Sequence, residues 1–384
     1  MRELEAILSA YDGMKAKGQP CVLATVVHVE GSSYRRAGAR MLVNEQGLMI
    51  GSISGGCLEG DALRKALFAL RTGQNKLVTY DTNDEADAVV GAQLGCNGVI
   101  QVLFEPVDFQ RPDNPVELLK KAADRRDIVA IVTLFNLQKN KKQPGTKMLF
   151  DAALNMTGNI GNPDFSKALQ ADVRQAFAEN RPLFGEYHIA GEKRHAFIEI
   201  CPPVPELVLV GAGNDAQVLA QMADLLGWRV VVADGRYTHA NGQRFNGSCQ
   251  VIVAKPEKIL DRIRIGARTV FVLMTHNYQY DLAVLKSLLP YPEIPYIGIL
   301  GPQKRYRRML DELRSEGIHV APEQAARIYA PMGLYLGGEN ASEIALSILS
   351  EVLSVLNDAP GGHLRERTGP IHDRSNHVFK VKFV

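Results

Sequence analysis

Two features of this 384-residue sequence have the residue types and spacing that chemistry requires. The first is a pair of thiols set among glycines. Ser54-Gly55-Gly56-Cys57 leads into an amphipathic stretch, so the thiol falls at or beside a helix start. The positive end of a helix favours the thiolate, and the glycines leave backbone N–H groups open. Cys96 sits in a second glycine-flanked turn, Gly95 to Gly98. The second feature is the aliphatic run Leu207–Val210 followed by Gly211-Ala212-Gly213-Asn214-Asp215-Ala216. This reads as a strand, a Gly-x-Gly-x-x-Ala phosphate loop and a helix. Gly211 permits the tight turn, Gly213 lets a phosphate approach the backbone, and Ala216 lets helix and strand pack closely. Asn214 opens the helix, whose free N–H groups suit an anion. Asp234 ends the next aliphatic run, twenty-three residues after Gly211, where an acid can hold a ribose hydroxyl.

These loops need a scaffold, and the pattern around the second supplies one. Strands at Leu207–Val210, Arg229–Ala233, Cys249–Ala254, Thr269–Met274 and Tyr296–Leu300 alternate with helices beginning near Asn214, Pro256, Asn277 and Pro302. A last helix runs from Ser342 to about Leu356. This is a parallel sheet with helices on both faces. A strand order 3-2-1-4-5 opens a crevice between strands one and four. Thr275 and His276, after strand four, then border the glycine loop, with His276 a candidate acid or base. Lys304, Arg305, Arg307 and Arg308 fall in the first two turns of the helix after strand five, where the dipole prefers acids. That placement points to an anionic ligand or an acidic partner surface. Each feature also has a plain structural reading: small residues filling turns, a hydrogen-bonding histidine, a solvated basic face, or a loop that holds nothing.

The N-terminal half carries an internal repeat. A shift of 107 residues lays Gly38-Ala39-Arg40-Met41-Leu42 on Gly145-Thr146-Lys147-Met148-Leu149, and Met49, Gly51 and Ile53 on Met156, Gly158 and Ile160. The same shift lays Cys21–Val27 on Ile128–Leu134 and Tyr80 on Tyr187. Residues 20–107 and 127–204 are therefore read as two copies of one α+β unit, the second degenerate. They differ where chemistry could sit: Ser54-Gly55-Gly56-Cys57 becomes Gly161-Asn162-Pro163-Asp164, and the Cys96 turn has no counterpart. The first copy is read as functional and the second as scaffold. Arg35, Arg36 and Arg40 surround Gly38 and could meet phosphate; Arg40 is the best candidate, although Lys147 keeps its charge and a structural pair would explain that equally. The acids Asp81, Asp84, Glu85 and Asp87 read better as a solvated loop than as a cation site. Pro202, Pro203 and Pro205 make a stiff boundary. The expected organisation is an α+β domain at 1–203, a Rossmann-like doubly wound domain at 204–357, and a polar tail at 358–384.

Composition narrows the class. A formal net charge of +2 gives no global field for nucleic acid or membrane. No apolar run reaches the length of a membrane span, and acids interrupt the N-terminal stretch, so neither a span nor a secretory signal is expected. Five scattered cysteines without a Cys-x-x-Cys argue against a disulfide framework or structural zinc and for a reducing, cytoplasmic compartment.

Taken together the motifs resemble a known family. Gly31-Ser32-Ser33, Gly38-Ala39-Arg40-Met41, Gly51-Ser52-Ile53-Ser54-Gly55-Gly56-Cys57-Leu58-Glu59 and Gly95-Cys96 are similar to the amino-terminal domain of the XdhC/CoxI family. Gly211-Ala212-Gly213, Met274-Thr275-His276, Gly298-Ile299-Leu300-Gly301 and Ala330-Pro331-Met332-Gly333-Leu334 are similar to its Rossmann-type domain, and the Glu343–Ile348 helix fits too. Tyr34 and Ala37 stand where the family often has prolines, and Asn214 where a histidine is common. The resemblance implies an accessory protein of molybdenum hydroxylases such as xanthine dehydrogenase. It would bind molybdenum cofactor, as molybdopterin or its nucleotide form, and assist its sulfuration and insertion. It also implies a homodimer with two partners, the hydroxylase apoenzyme and a cysteine desulfurase. On that reading Arg40, Ser54, Gly55, Gly56, Gly211, Gly213, Asn214, Asp234 and Thr275 are candidate cofactor contacts, Cys57 is a candidate molybdenum ligand, and Cys57, Cys96 and His276 are candidate reactive groups. The sequence lacks the Cys-rich iron–sulfur motifs of the hydroxylases, in keeping with an accessory role. Two rival readings stand beside it: an NAD(P)-dependent oxidoreductase using His276, and a nucleotide-sensing regulatory protein without chemistry.

Overall fold

A computed structural model describes residues 2–31, 35–56, 58–81, 98–138, 141–158, 160–189, 191–245, 249–368 and 379–384. The chain divides into two units, one spanning Glu3–Pro203 with Arg367–Val384 and the other Val204–Glu366 with Met1–Arg2.

The first unit begins with helix α1 (Arg2–Lys17), whose Ile7, Tyr11 and Met14 recur at helical spacing and are buried. Strands β1 (Cys21–Gly31), β2 (Arg40–Asn44), β3 (Met49–Gly51), β4 (Lys76–Asp81) and β5 (Gly98–Pro106), with helix α2 (Glu59–Thr72) between β3 and β4, make an antiparallel sheet ordered β3-β2-β1-β5-β4. Helix α3 (Pro115–Ala123) follows, capped by Asn114, whose side chain accepts from the N–H groups of Val116 and Glu117. Then β6 (Val129–Phe135), β7 (Gly145–Asp151), β8 (Met156–Gly158), helix α4 (Pro163–Glu179), β9 (Leu183–Ile189) and β10 (Glu192–Cys201) reproduce the same elements and the same strand order. The C-terminal strand Lys380–Phe383 joins this second sheet, parallel to β9. One face of each sheet is covered by its own helix: α2 contributes Ala62, Ala66 and Ala69, and α4 contributes Phe165, Leu169 and Val173. The opposite faces meet in one core, where Leu23 and Leu42 of the first copy join Ile131 and Leu149 of the second, together with α1 and α3.

The pairing corrects one detail of the repeat. Leu42 and Leu149 are equivalent at a shift of 107, but their partners across the sheet are Leu23 and Ile131, a shift of 108. The second copy is one residue shorter between these strands. An ungapped comparison therefore places β1 on β6 with every side chain on the wrong face. The correct register makes Glu105, opposite Leu23, the counterpart of Glu199, opposite Ile131. It also explains the paired glycines. Glu199 lies so close to Gly38 that a Cβ there would sit 2.6 Å from Oε1, and Glu105 crowds Gly145 in the same way. Each copy thus lends a glutamate to the other.

In the second unit β11 (Glu206–Val210), β12 (Arg229–Asp234), β13 (Gln250–Val253), β14 (Thr269–Leu273), β15 (Ile297–Ile299) and a two-residue β16 (Ile328–Tyr329) form a wholly parallel sheet ordered β13-β12-β11-β14-β15-β16. Helices α5 (Asn214–Leu225) and α9 (Ala341–Leu356) cover one face; α6 (Tyr278–Leu288) and α7 (Gln303–Ser315) cover the other, and the short α8 (Pro322–Ala325) precedes β16. Burial on both faces is why the central strands read as continuous Val and Leu runs instead of alternating. The segment after β13 differs from its sequence reading: Pro256–Lys258 and Leu260–Arg262 are two 3₁₀ turns and not an α-helix. Pro302 caps α7 from an extended conformation instead of lying inside it.

Candidate functional site

In the first unit, the loop between β3 and α2 is tied together from within. Ser54 is buried, and its Oγ donates to Glu59 Oε2 at 2.5 Å while accepting from the N–H groups of Gly56 and Leu58 at 3.2 Å each. Ser54 N–H donates to Glu59 Oε1 at 3.1 Å, and Ser52 Oγ lies 2.8 Å from the same oxygen. Burial pushes the Glu59 carboxyl up, but the bonds from Ser54 and Ser52 outweigh it and hold it below the usual range. Gly55 and Gly56 are exposed, and Gly56 has φ +106 with open space where a side chain would stand. The second copy instead caps α4 with Asn162, whose side chain accepts from Asp164 and Phe165 N–H at 3.0 Å, so its helix starts earlier. Cys57 and Cys96, together with Asp84, Glu85 and Asp87, lie outside the described residues.

Arg40 is largely buried and forms a bidentate pair with Glu199; its Nη1 also donates to the Gly38 carbonyl at 2.8 Å. Arg35 pairs with Glu3 at 3.1 Å. Lys147 is half-buried, and desolvation lowers its ammonium pKa.

The second unit holds the crevice. Gly211, at φ +121, lies directly on the end of β14: a Cβ there would meet the Met274 carbonyl oxygen at 2.6 Å and Thr275 N at 2.8 Å. Gly213 caps α5 in an extended conformation, with nothing within 4 Å of its Cβ position. The first turn of α5 therefore faces open space, with Asn214 and Asp215 exposed. Asp234 is buried at the end of β12. Its Oδ2 accepts from Ala212 N–H at 2.9 Å and Arg236 Nη2 at 2.8 Å, and its Oδ1 from Arg236 N–H at 2.9 Å and Arg236 Nε at 3.0 Å. Burial raises its carboxyl pKa, but the Arg236 and Ala212 bonds prevail and lower it. Arg244 reaches over the loop, its Nη2 donating to the Ala212 carbonyl at 3.2 Å and to Asn214 Oδ1 at 3.0 Å.

The loop after β14 is built the same way. Buried Thr275 donates its hydroxyl to Asp281 Oδ1 at 2.6 Å and accepts from Asn277 N–H at 3.1 Å. Asp281 Oδ2 takes Arg305 Nη2 at 2.5 Å, yet burial still holds its carboxyl above the usual range. His276 is exposed in this loop with φ +58, a conformation uncommon for a residue with a side chain. Arg308 stacks on Tyr278 at 4.4 Å, and Lys304 and Arg307 are exposed.

The structure thus gathers Gly211, Gly213, Asn214, Asp234, Thr275 and His276 at one end of the parallel sheet. Sequence reasoning did not single out Glu59, Arg236, Arg244 or Asp281. Arg236 had a faint signal, two residues beyond Asp234. Arg244 had none, since only the fold returns its loop to Ala212. Among the described residues, no group of three or more His, Cys, Asp or Glu side chains could hold a metal ion, and no helix is long and apolar enough to cross a membrane.

Comparison with known proteins gives two family matches: the XdhC Rossmann domain over residues 207–352, and the XdhC and CoxI family over residues 14–81. A Bacillus subtilis relative, described as a probable subunit of xanthine dehydrogenase, is 31% identical over 343 residues, covering 89% of this chain and 95% of its own. The molybdenum cofactor insertion chaperone PaoD of Escherichia coli is 23% identical over 338 residues, covering 88% and 84%. A crystal structure from Bacillus halodurans, described as a xanthine dehydrogenase, matches with a TM-score of 0.70 and 28% identity, covering 93% of this chain and 96% of that one.

Proposed function

Because the chain belongs to the XdhC and CoxI family, we propose that it is an accessory factor that binds molybdenum cofactor and helps insert it into a xanthine dehydrogenase-type hydroxylase. The observation that carries this reading is the match to an insertion chaperone along 88% of the chain, spanning both units. The residues present fit such a cargo. The cofactor carries a phosphate, and the exposed first turn of α5 beyond Gly213, with Arg236 and Arg244 beside it, offers N–H groups and cations to one. Separately, in the first unit Glu59 and Ser54 tie the loop after β3, and Cys57, outside the described residues, is the thiol we assign to sulfur or metal chemistry. Gly211, Thr275 and Asp281 keep the crevice floor rigid, so that binding does not have to order it. The factor works as a cytoplasmic homodimer and holds the cofactor while a cysteine desulfurase sulfurates it.

The test is direct. Protein purified anaerobically should release molybdenum and a pterin on denaturation and should raise the activity of an apo-hydroxylase supplied with cofactor. Cys57→Ala should keep the fold by circular dichroism but lose that activation, and Cys57 should alkylate faster than buried Cys21. Absence of both pterin and activation would end the proposal. Steady NAD(P)⁺ reduction with a small substrate, lost in His276→Ala, would favour the oxidoreductase reading instead.

A further inference from the structure

In dinucleotide-binding sheets the acid that ends the second strand holds a ribose diol, and for that its oxygens must be open to the crevice. Asp234 occupies that place but is only 3% exposed. An ionised carboxylate has about four acceptor positions. Asp234 already receives four donors from the chain: Ala212 N–H, and the N–H, Nε and Nη2 of Arg236. A ribose hydroxyl entering here would have to break one of them. What the strand end presents outward is the Arg236 guanidinium, its side chain 49% exposed. Two of its five N–H donors serve Asp234, which leaves three.

A second cation converges on the same residue, Ala212. Arg244 donates to the Ala212 carbonyl, while Asp234 carries Arg236 to the Ala212 N–H. Arg244 Nε is buried with no hydrogen-bond partner among the described residues, a donor that calls for an acceptor. Asp234 offsets one arginine, Arg305 is matched by Asp281 across the crevice, and Asp215 is exposed on the first turn of α5. Glu257, on the 3₁₀ turn after β13, is exposed as well.

We infer that this crevice selects a ligand bearing a phosphate monoester where an adenosine ribose would present its diol. Arg236 is the specificity-determining residue, Arg244 a second cation on the phosphate, and Asp234 a positioning residue that aims Arg236. The inference deepens the reading of the crevice as a cofactor-holding site. Planar, forked guanidinium groups suit phosphate oxygens, whereas a neutral diol gains little from them.

Two probes that differ only in this group decide the matter, adenosine 2′,5′-bisphosphate and adenosine 5′-monophosphate, titrated into the full chain by calorimetry. The bisphosphate should bind about tenfold or more tightly than the monophosphate, a difference of about 1.4 kcal/mol. Arg236→Gln should bring the bisphosphate down to the affinity of the monophosphate. Arg236→Lys, which keeps the charge but not the fork, should retain part of the preference. Equal binding of the two probes, tighter binding of the monophosphate, or undiminished selectivity in Arg236→Gln would overturn the assignment; so would failure of the bisphosphate to bind at all. Molybdenum and pterin content of the same preparation reports on the accessory role separately. Cofactor retained by a chain that fails the probe test would remove the phosphate assignment alone.

Discussion

The two glycines of the phosphate loop should respond in opposite ways to a single added methyl group. Gly211→Ala puts a Cβ within 2.8 Å of three backbone atoms of Met274 and Thr275, and these cannot rotate aside. Its φ of +121 is also closed to residues with a side chain. The conformational term is roughly 1–2 kcal/mol and the overpacking term roughly 1–3 kcal/mol, so a loss of about 2–5 kcal/mol is expected. Gly213→Ala meets nothing within 4 Å and keeps an extended φ of −69. Its stability should stay within about 0.5 kcal/mol of the parent. The single tryptophan makes the assay specific, because Trp228 is buried in the core of the second unit. Urea unfolding followed by its fluorescence reports that unit in the intact chain. Gly213→Val, with a larger side chain in the ligand's space, should abolish binding of the phosphate probe while the Trp228 transition is retained. A Gly211→Ala transition at the parental midpoint, or a Gly213→Ala loss as large as that of Gly211→Ala, would refute the close-approach argument.

Three further outcomes follow from the buried charges. Asp234 has a lowered carboxyl pKa, so its contribution is present above the unfolded value near 3.9 and lost as pH falls through the folded one; the Trp228 midpoint should drop in that acid window for the parent, and Asp234→Asn should be flatter there. Burial raises the Glu105 carboxyl despite its bonds from Thr146, so its contribution is complete below about 4.3 and fades as pH rises through the folded value; Glu105→Gln should be more stable than the parent at pH about 8 and lose this advantage toward pH 4, by thermal circular dichroism. Arg40→Met leaves Glu199 largely buried without its cation and should cost about 3–5 kcal/mol, most of it recovered in Arg40→Met/Glu199→Leu; an equal loss in the double variant would mean that the pair does not govern the effect.

Much of the second unit was legible in the chain because its signals are local. A short Val-rich run between turn residues favours a strand buried on both faces, and Gly211, Gly213 and Ala216 encode a turn, an open helix start and a close packing within six residues. The repeat was legible too, since Gly38 and Gly145 are required by the same crowding in both copies. What the sequence could not supply was anything depending on which residues meet across distance. The one-residue offset between β1 and β6 emerged only from pairing, because register is set by the partner strand. The exchange of Glu105 and Glu199 between copies joins residues far apart in the chain and close only in the folded core. The helix expected after Pro256 gave way to 3₁₀ turns, since propensity there yields to packing against α6. The identity of Asp234 as an acid at a strand end was written in the sequence. That its four acceptor positions are filled by Ala212 and Arg236 was decided by the tertiary structure, which brings one loop's amide and another's guanidinium to the same buried carboxylate.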